Sequence, residues 1–297
     1  MTPSRTTRRR FVQGLAATAT LGASTTGYGA ATEPRLGKRP RITRMEVRMP
    51  HLPPGLDGFR IVQISDLHLE PFTTESDIEQ TVAVCQALSP DLVAMTGDFV
   101  THEVRPMGVL AEILAPLKAP HGTFACLGNH DWRCGHDRVV KALQERRIKV
   151  LRNETRPIHT KGGVLHLAGT DTRYMGEPSL RQTLARWKPG QPLVFLRHEP
   201  DVADAVAAAG VPCLQLSGHT HGGQVRLLGL PPLPLRWRRA AWGRRYMSGL
   251  YHVGPVQLYV NRGIGCVWLP LRVWCPPEVT EITLRSPLLR KPPAAAA

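Results

Sequence analysis

The sequence predicts an α/β fold, a two-sheet β-sandwich built from βαβ units with flanking helices. Short apolar runs alternate with helix-like stretches between residues 59 and 216, a pattern typical of parallel strands joined by helices. Polar residues follow several of these runs directly, at the positions where parallel strands end along one sheet edge. Beyond residue 225 the helical pattern fades, which predicts that the late strands form a second, antiparallel sheet.

The predicted elements alternate along the chain. Residues 42–49 alternate apolar and polar side chains, as a half-buried strand does, and residues 59–65 form the next strand. Apolar side chains at helical spacing predict a helix over residues 75–88, which Pro90 ends. Further strands are expected at residues 92–96, 122–127, 148–151, 164–168, 193–196 and 212–216. Further helices are expected at residues 105–117, 137–146, 179–187 and 201–209. The late strands are expected at residues 225–228, 246–253, 256–260 and 279–284.

The first 31 residues have the pattern of an export signal. Arg8, Arg9 and Arg10 precede Phe11, a short apolar stretch and then small residues up to Ala31. The paired arginines resemble a twin-arginine signal, which the export machinery recognises. We therefore expect residues 32–297 to fold as a single domain in the periplasm or at the outer face of the cytoplasmic membrane. A basic tail that binds anionic surfaces is the alternative.

The chain is strongly basic, with a formal net charge of +15. A basic surface favours anionic partners such as phospholipid, cell-wall polymer, nucleotide or nucleic acid. An arginine-rich composition alone would also account for the charge. Because export argues against a genomic substrate, no specific nucleic-acid partner is expected.

The six cysteines include no C-x-x-C pair. Cys85, Cys126 and Cys213 lie in apolar runs and are expected in the core. Cys266 and Cys275 flank a short loop, so their redox state stays open. None is needed as a metal ligand.

Five segments supply metal-ligand side chains, and each follows an apolar run. They are Asp66-Leu67-His68, Gly97-Asp98, Gly128-Asn129-His130-Asp131, His198 and Gly218-His219-Thr220-His221. Histidine, carboxylate and amide ligands favour Mn, Fe or Zn. Any one segment is weak evidence, but all five together predict a dinuclear metal site at the carboxyl edge of the strands. Two such ions about 3.5–4 Å apart can clamp the oxygens of a phosphoryl displacement.

Taken together, the five segments resemble the calcineurin-like metallophosphoesterases, whose pattern is D-x-H, G-D, G-N-H-D, H and G-H-x-H. Residues 217–225, 258–265 and 277–284 resemble the exported YkuE-like and YaeI-like bacterial branch. The resemblance implies the metallophosphoesterase fold and a hydrolase that cleaves phosphodiester or pyrophosphate bonds at the cell envelope.

The resemblance also implies a role for each matching residue. Asp66, His68 and His221 would hold one divalent ion, and Asp98 would bridge both ions. Asn129, His198 and His219 would complete the second ion. A metal-bound hydroxide would attack phosphorus, and His130, oriented by Asp131, would stabilise the phosphate or donate a proton to the leaving oxygen.

Three features lie outside this common pattern. Thr101 stands where many relatives carry the last acid of G-D-x-x-D, which is not a metal ligand. Arg262, in Asn261-Arg262-Gly263, is a candidate phosphate contact, with an ordinary turn as the alternative. Residues 230–245 contain three prolines, two tryptophans and five arginines. They are the candidate segment for substrate choice and suit a membrane interface or anionic lipid headgroups, or else form an ordered loop that packs its own tryptophans.

The substrate stays open between lipid, nucleotide and wall-polymer phosphoesters. One alternative is a lipid-specific pyrophosphatase of the UDP-2,3-diacylglucosamine type, with peripheral membrane contact. Another is a non-catalytic protein that binds the envelope with the same fold. Such a protein would be expected to have lost ligands, yet none is missing here.

Overall fold

The computed structural model describes residues 39–173, 176–226 and 245–289. Two six-stranded sheets lie within them, which confirms the predicted two-sheet α/β fold. The export signal, and residues 230–244 of the candidate substrate segment, lie outside the described residues. Among the described helices, none is both long and apolar enough to cross a bilayer.

The described strands occur in the following chain order: β1 (Arg41–Arg48), β2 (Arg60–Ile64), β3 (Leu92–Met95), β4 (Thr123–Ala125), β5 (Ile148–Val150), β6 (Glu154–Thr160), β7 (Gly163–Gly169), β8 (Leu193–Leu196), β9 (Cys213–Ser217), β10 (Gly249–Val253), β11 (Val256–Val260) and β12 (Glu278–Arg285). The first sheet has the order β1-β12-β2-β3-β4-β5, and the second has the order β10-β11-β9-β8-β7-β6. Strands β2 to β5 are parallel to one another, as are β7, β8, β9 and β11. Their carboxyl ends therefore lie at one edge of each sheet.

The described α-helices are α1 (Glu75–Ala87), α2 (Met107–Leu114), α3 (Asn129–Glu145), α4 (Leu180–Thr183) and α5 (Ala203–Ala208). Helices α1 to α3 pack their apolar faces on the outer face of the first sheet. Helix α3 begins eight residues before the predicted start at residue 137. Its first turn is capped by Asp131, and Gly135, with φ of 114°, kinks the helix where the apolar spacing breaks.

The placement of the late strands differs from the prediction. Strand β12 lies inside the first sheet, parallel to β1 and antiparallel to β2, and β11 is parallel to β9. The prediction that the late strands form a separate antiparallel sheet is therefore wrong. Strand β6 was not predicted, because Pro157 and its exposed neighbours hide an edge strand. Of the predicted strand at residues 225–228, the described residues show an isolated bridge between Val225 and Val273, and residues 227 and 228 lie outside them.

A shared apolar core fills the space between the two sheets. Ile61, Leu92 and Phe124 of the first sheet belong to the same buried cluster as Leu196 and Leu214 of the second. The inner faces are mainly apolar, and the predicted ligand side chains lie beyond the strand ends. All six cysteines are free, and Cys85, Cys126 and Cys213 are buried as predicted.

Candidate metal centre

The predicted ligands lie in loops just beyond the carboxyl ends of β2, β3, β4, β8 and β9. Five of them adopt positive φ values between 47° and 74°, a region that costs energy for residues other than glycine: Asp66, His68, Asp98, His219 and His221. Strain of this kind persists where the surrounding structure holds the backbone, and it concentrates at functional sites.

The first group of ligand atoms comes from Asp66, His68 and His221. The Nε2 atom of His221 lies 3.2 Å from His68 Nε2 and 3.4 Å from Asp66 Oδ1. All three side chains are buried, and their ligand atoms lie within 4.8 Å of one another. Two imidazole nitrogens and a carboxylate oxygen that converge in this way fit a first-row divalent ion.

The second group is formed by Asp98, His198 and His219. His198 Nε2 lies 3.1 Å from Asp98 Oδ2 and 3.2 Å from His219 Nδ1. Asp98 Oδ2 also lies 3.4 Å from His68 Nε2. One carboxylate oxygen thus faces a histidine of each group, which is the position that a bridging ligand requires.

Asn129 supplies a separate test of whether these residues fit a metal. Its Oδ1 atom is buried and has no hydrogen-bond partner among the described residues, an arrangement that costs about 1–3 kcal/mol. Asn129 is the first residue of α3 and follows Gly128, whose backbone lies against Asp98. An amide oxygen without a partner beside two ligand groups fits the predicted ligand role.

Glycines allow the ligand loops to approach one another. A Cβ on Gly128 would lie 2.1 Å from Asp98 Oδ1, and one on Gly218 would lie 1.9 Å from Ser65 Oγ. Gly263, with φ of 72°, lies against Asp66, where a Cβ would meet the Asp66 Cβ at 2.7 Å. The Asn261-Arg262-Gly263 segment therefore reaches the site through its glycine, which the sequence did not single out.

Hydrogen bonds to backbone carbonyls fix the ligand rings. His198 Nδ1 lies 2.6 Å from the Thr96 carbonyl, and His221 Nδ1 lies 3.3 Å from the Gly265 carbonyl. In the tautomer that donates from Nδ1, each Nε2 keeps its lone pair for a ligand role. His68 Nδ1 contacts the Thr101 hydroxyl at 3.3 Å. Thr101, whose hydroxyl also donates to the Glu70 carbonyl at 2.6 Å, therefore supports the loop that carries His68.

His130 lies beside the cluster but is held differently from the expectation. Its Nδ1 lies 2.7 Å from the Thr101 carbonyl, and its backbone N–H donates to Asp98 Oδ1 at 2.8 Å. Its ring packs edge-on against the His68 ring, with 4.8 Å between centroids. Burial lowers the pKa of His130 to about 4. A pKa in this range favours the neutral imidazole near pH 7, and within the described part of the chain its hydrogen bonds are made by Nδ1.

Asp131 does not orient His130, which corrects the predicted role. Its Oδ2 accepts the backbone N–H groups of Asp98 at 2.8 Å and Gly128 at 2.9 Å. Its Oδ1 accepts the N–H of Phe99 at 2.8 Å. Burial raises the pKa of Asp131 to about 7, with a further contribution from the Asp98 carboxylate. Asp131 thus ties together the loops that carry Asp98 and Asn129.

Arg262 has partners outside the cluster. Its Nη2 donates to Glu278 Oε1 at 2.9 Å, and its backbone N–H donates to Glu278 Oε2 at 2.9 Å. The same guanidinium contacts the Thr43 hydroxyl at 3.3 Å. This arrangement gives the side chain an ion-pair role next to the site and does not support the predicted phosphate contact.

Charge is distributed unevenly among the ligands. Burial opposes the charged form of His198, but the Asp98 carboxylate outweighs it and raises the His198 pKa to about 10. Burial disfavours the Asp98 carboxylate, yet His198 and His130 hold its pKa well below the ordinary value. Burial lowers the pKa of His219 to about 4 and that of His221 well below its ordinary value. Neutral His219 and His221 beside an ionised Asp98 are protonation states that metal binding needs. His198 would have to release its proton when an ion binds.

A buried ion pair that the sequence did not reveal flanks His198. Arg197 Nε lies 2.9 Å from Glu199 Oε2, and both side chains are only 1% exposed. Arg197 Nη1 also donates to the Thr170 hydroxyl at 2.7 Å. The two residues of the pair stand on either side of the His198 ligand in the chain. Its signal in the sequence is the run of charges directly after a fully apolar strand.

Comparison with known proteins identifies the family of this chain. The family model for calcineurin-like phosphoesterase matches residues 59–223. The uncharacterized metallophosphoesterase YkuE of Bacillus subtilis is 34% identical, over 94% of this chain and 98% of its own. Phosphodiesterase YaeI of Escherichia coli is 31% identical, over 93% and 98%. Among solved structures, TT1561 of Thermus thermophilus superposes with a TM-score of 0.47 at 14% identity, covering 70% of this chain and 90% of its own. This chain belongs to the calcineurin-like phosphoesterase family.

Proposed function

We propose that the protein is a phosphodiesterase that uses two divalent metal ions, Mn, Fe or Zn, and acts at the cell envelope. The observation that carries the proposal is the position of Asp98 Oδ2, 3.4 Å from His68 Nε2 and 3.1 Å from His198 Nε2. The name of the YaeI relative, a phosphodiesterase, favours diesters over monoesters. A pyrophosphate bond is chemically close and stays within the proposal.

The residues divide between the two ions as their contacts suggest. Asp66, His68 and His221 would hold one ion, and His198, His219 and the free Oδ1 of Asn129 would hold the other, with Asp98 shared. Bound ions supply Lewis acidity and activate water for attack on phosphorus. The chain itself positions the phosphoryl group by fixing these ligands and by keeping the loops closely packed through Gly128 and Gly218.

His130 is the residue proposed to handle a proton. The Thr101 carbonyl holds its Nδ1, which leaves Nε2 as the atom available to substrate. An anionic phosphoester beside the ring would raise the His130 pKa, so that Nε2 could carry a proton to the leaving oxygen in the complex. Asp131 serves this step indirectly, since it fixes the loop on which His130 lies.

Hydrolysis of bis(p-nitrophenyl) phosphate and p-nitrophenyl phosphate by Mn-loaded protein tests the reaction. We expect the diester to be hydrolysed faster, and a faster monoester would overturn the diesterase assignment. Asp98→Asn should abolish turnover. Asp137→Asn is the matched control, because Asp137 lies on α3 with 85% of its side chain exposed. Retained hydrolysis in Asp98→Asn would contradict the shared-ligand proposal and favour a non-catalytic role for the cluster.

The substrate and location need separate experiments. Lipid, nucleotide and wall-polymer phosphodiesters, tested side by side, would identify the physiological class. For export, we propose that residues 1–31 engage the twin-arginine machinery. Arg8→Lys with Arg9→Lys should then retain the protein in the cytoplasm. Unchanged export of this double variant would contradict the twin-arginine route.

A further inference from the structure

One loop next to the metal centre exposes large apolar side chains. Residues 266–275, called the tryptophan loop below, carry Trp268 with 81% of its surface exposed, Leu269 with 39% and Trp274 with 39%. Exposed apolar groups that cluster in this way mark contact sites more often than scattered single residues do. The loop has no part in the proposed ligand set.

The exposure of Trp268 is imposed by a rigid backbone. The Gln224 side chain donates to the carbonyls of Val267 at 2.9 Å and Leu269 at 3.0 Å, and its Oε1 accepts the N–H of Val267 at 2.8 Å. Three hydrogen bonds from one nearly buried side chain thus hold the loop on both sides of Trp268. Trp268 has φ of 66°, which is unfavourable for a bulky residue unless the surroundings hold it.

The same loop is tied to the metal ligands. Gln224 lies three residues after His221, and Arg272, only 8% exposed, donates to the carbonyls of Gly265 at 3.1 Å and His221 at 3.4 Å. The N–H of Gly265 donates to the Asp66 carbonyl at 2.7 Å. Trp268 is three residues further along the chain, so its Cα lies within about 11 Å of Gly265. The exposed apolar side chains therefore lie at the edge of the site.

The charge of this part of the sequence indicates what it contacts. Between Asp204 and Glu278 there is no acidic residue, while the same stretch contains eight arginines. Two of these arginines lie at the tryptophan loop: Arg272 belongs to it, and the backbone N–H of Arg226 donates to the Val273 carbonyl at 3.0 Å. Basic charge beside exposed tryptophan and leucine matches a bilayer with anionic headgroups, since arginine is attracted to the surface and tryptophan prefers the interface. A protein partner would need only the apolar part of this combination.

We propose that Trp268 and Leu269 form a membrane-contact surface that inserts into the headgroup region of a bilayer containing anionic phospholipid. The site beside them would then face phosphoesters held in or near that bilayer. This membrane contact deepens the proposed envelope function. Only the statement about the substrate rests on that function, because binding to vesicles requires no hydrolysis.

Flotation of the full chain with phosphatidylcholine vesicles, with and without phosphatidylglycerol, tests the contact. We expect binding to the anionic vesicles, and we expect Trp268→Ala with Leu269→Ala to weaken it roughly tenfold or more. Burying one such side chain contributes more than the ~1.4 kcal/mol that corresponds to a factor of ten. The fluorescence of the wild type should also be quenched by brominated lipid chains more than that of the double variant.

The matched control is Leu288→Ala with Leu289→Ala. These side chains are 74% and 44% exposed and follow the far end of the eight-residue strand β12, about 25 Å from the site edge. This control should bind like the wild type, and both double variants should hydrolyse a soluble aryl diester normally. Equal vesicle binding by all three proteins, as the shared residues 1–31 would produce alone, would overturn the proposal. So would self-association that depends on Trp268 without vesicle binding.

Discussion

The role assigned to Asp131 gives the sharpest prediction for a single side chain. Its two carboxylate oxygens accept the backbone N–H groups of Asp98, Phe99 and Gly128 at 2.8, 2.8 and 2.9 Å. Asp131→Asn replaces one oxygen with an NH₂ group of nearly the same size. If Oδ2 is replaced, the N–H groups of Asp98 and Gly128 both lose their acceptor and face a donor.

The expected cost follows from the burial of these groups. An unsatisfied buried N–H costs about 1–3 kcal/mol, so two should lower the free energy of unfolding by about 2–6 kcal/mol. If Oδ1 is replaced instead, the N–H of Phe99 loses its acceptor, as does the longer contact from the Val100 N–H at 3.4 Å, and the expected cost is about 1–3 kcal/mol. Either loss is a large part of the 5–15 kcal/mol that is typical of domains.

Urea unfolding of the metal-free protein measures this cost. Asp137→Asn, on the same helix but exposed, should change the free energy of unfolding by less than about 0.5 kcal/mol. The loops that carry Asp98 and Asn129 would also separate, so we expect weaker metal binding by Asp131→Asn. An Asp131→Asn variant that is as stable as the wild type, with normal metal content and only a lower kcat, would refute the role of Asp131 in holding these loops together. It would instead support the role in which Asp131 orients the His130 ring.

Three further substitutions or treatments test other parts of the site. Asn129→Ala removes a buried oxygen without a partner, so the metal-free protein should lose little stability while its affinity for one ion falls, as measured by calorimetry. His130→Gln should slow the hydrolysis of diesters with alkyl leaving groups by about 10²-fold or more. It should slow the hydrolysis of p-nitrophenyl diesters much less, with metal content unchanged. Chelation should lower Tm, because ligand at 100 times its Kd stabilises a protein by about 2.7 kcal/mol, and Mn should restore it; an unchanged Tm would argue against binding.

The sequence predicts buried strands well where proline or glycine stands next to the apolar run. Residues 193–196 and 256–260 were predicted to the residue, since each is an apolar run next to proline or glycine. The start of α3 was missed because Gly135 interrupts its spacing. The position of β12 was missed because no local pattern tells which sheet a late strand joins.

In the site too, the sequence predicts the features that follow from nearby residues but not the contacts between distant residues. The strand-end rule predicts that Asp66, Asp98, His198 and His219 meet, because parallel strands bring their ends to one edge. The strand-end rule does not predict which backbone N–H groups donate hydrogen bonds to Asp131, or that Glu278 pairs with Arg262. Those contacts join residues that are 33 and 16 positions apart in the sequence, and they depend on tertiary packing.

Metal stoichiometry with Mn spectroscopy tests the dinuclear centre most directly. For the wild type we predict two Mn ions per chain whose electron paramagnetic resonance signal is that of a magnetically coupled pair. In Asp98→Asn the coupled signal should disappear and the content should fall toward one ion, while Asp137→Asn behaves like the wild type. One ion per wild-type chain, or a coupled pair that survives in Asp98→Asn, would contradict a centre that shares Asp98.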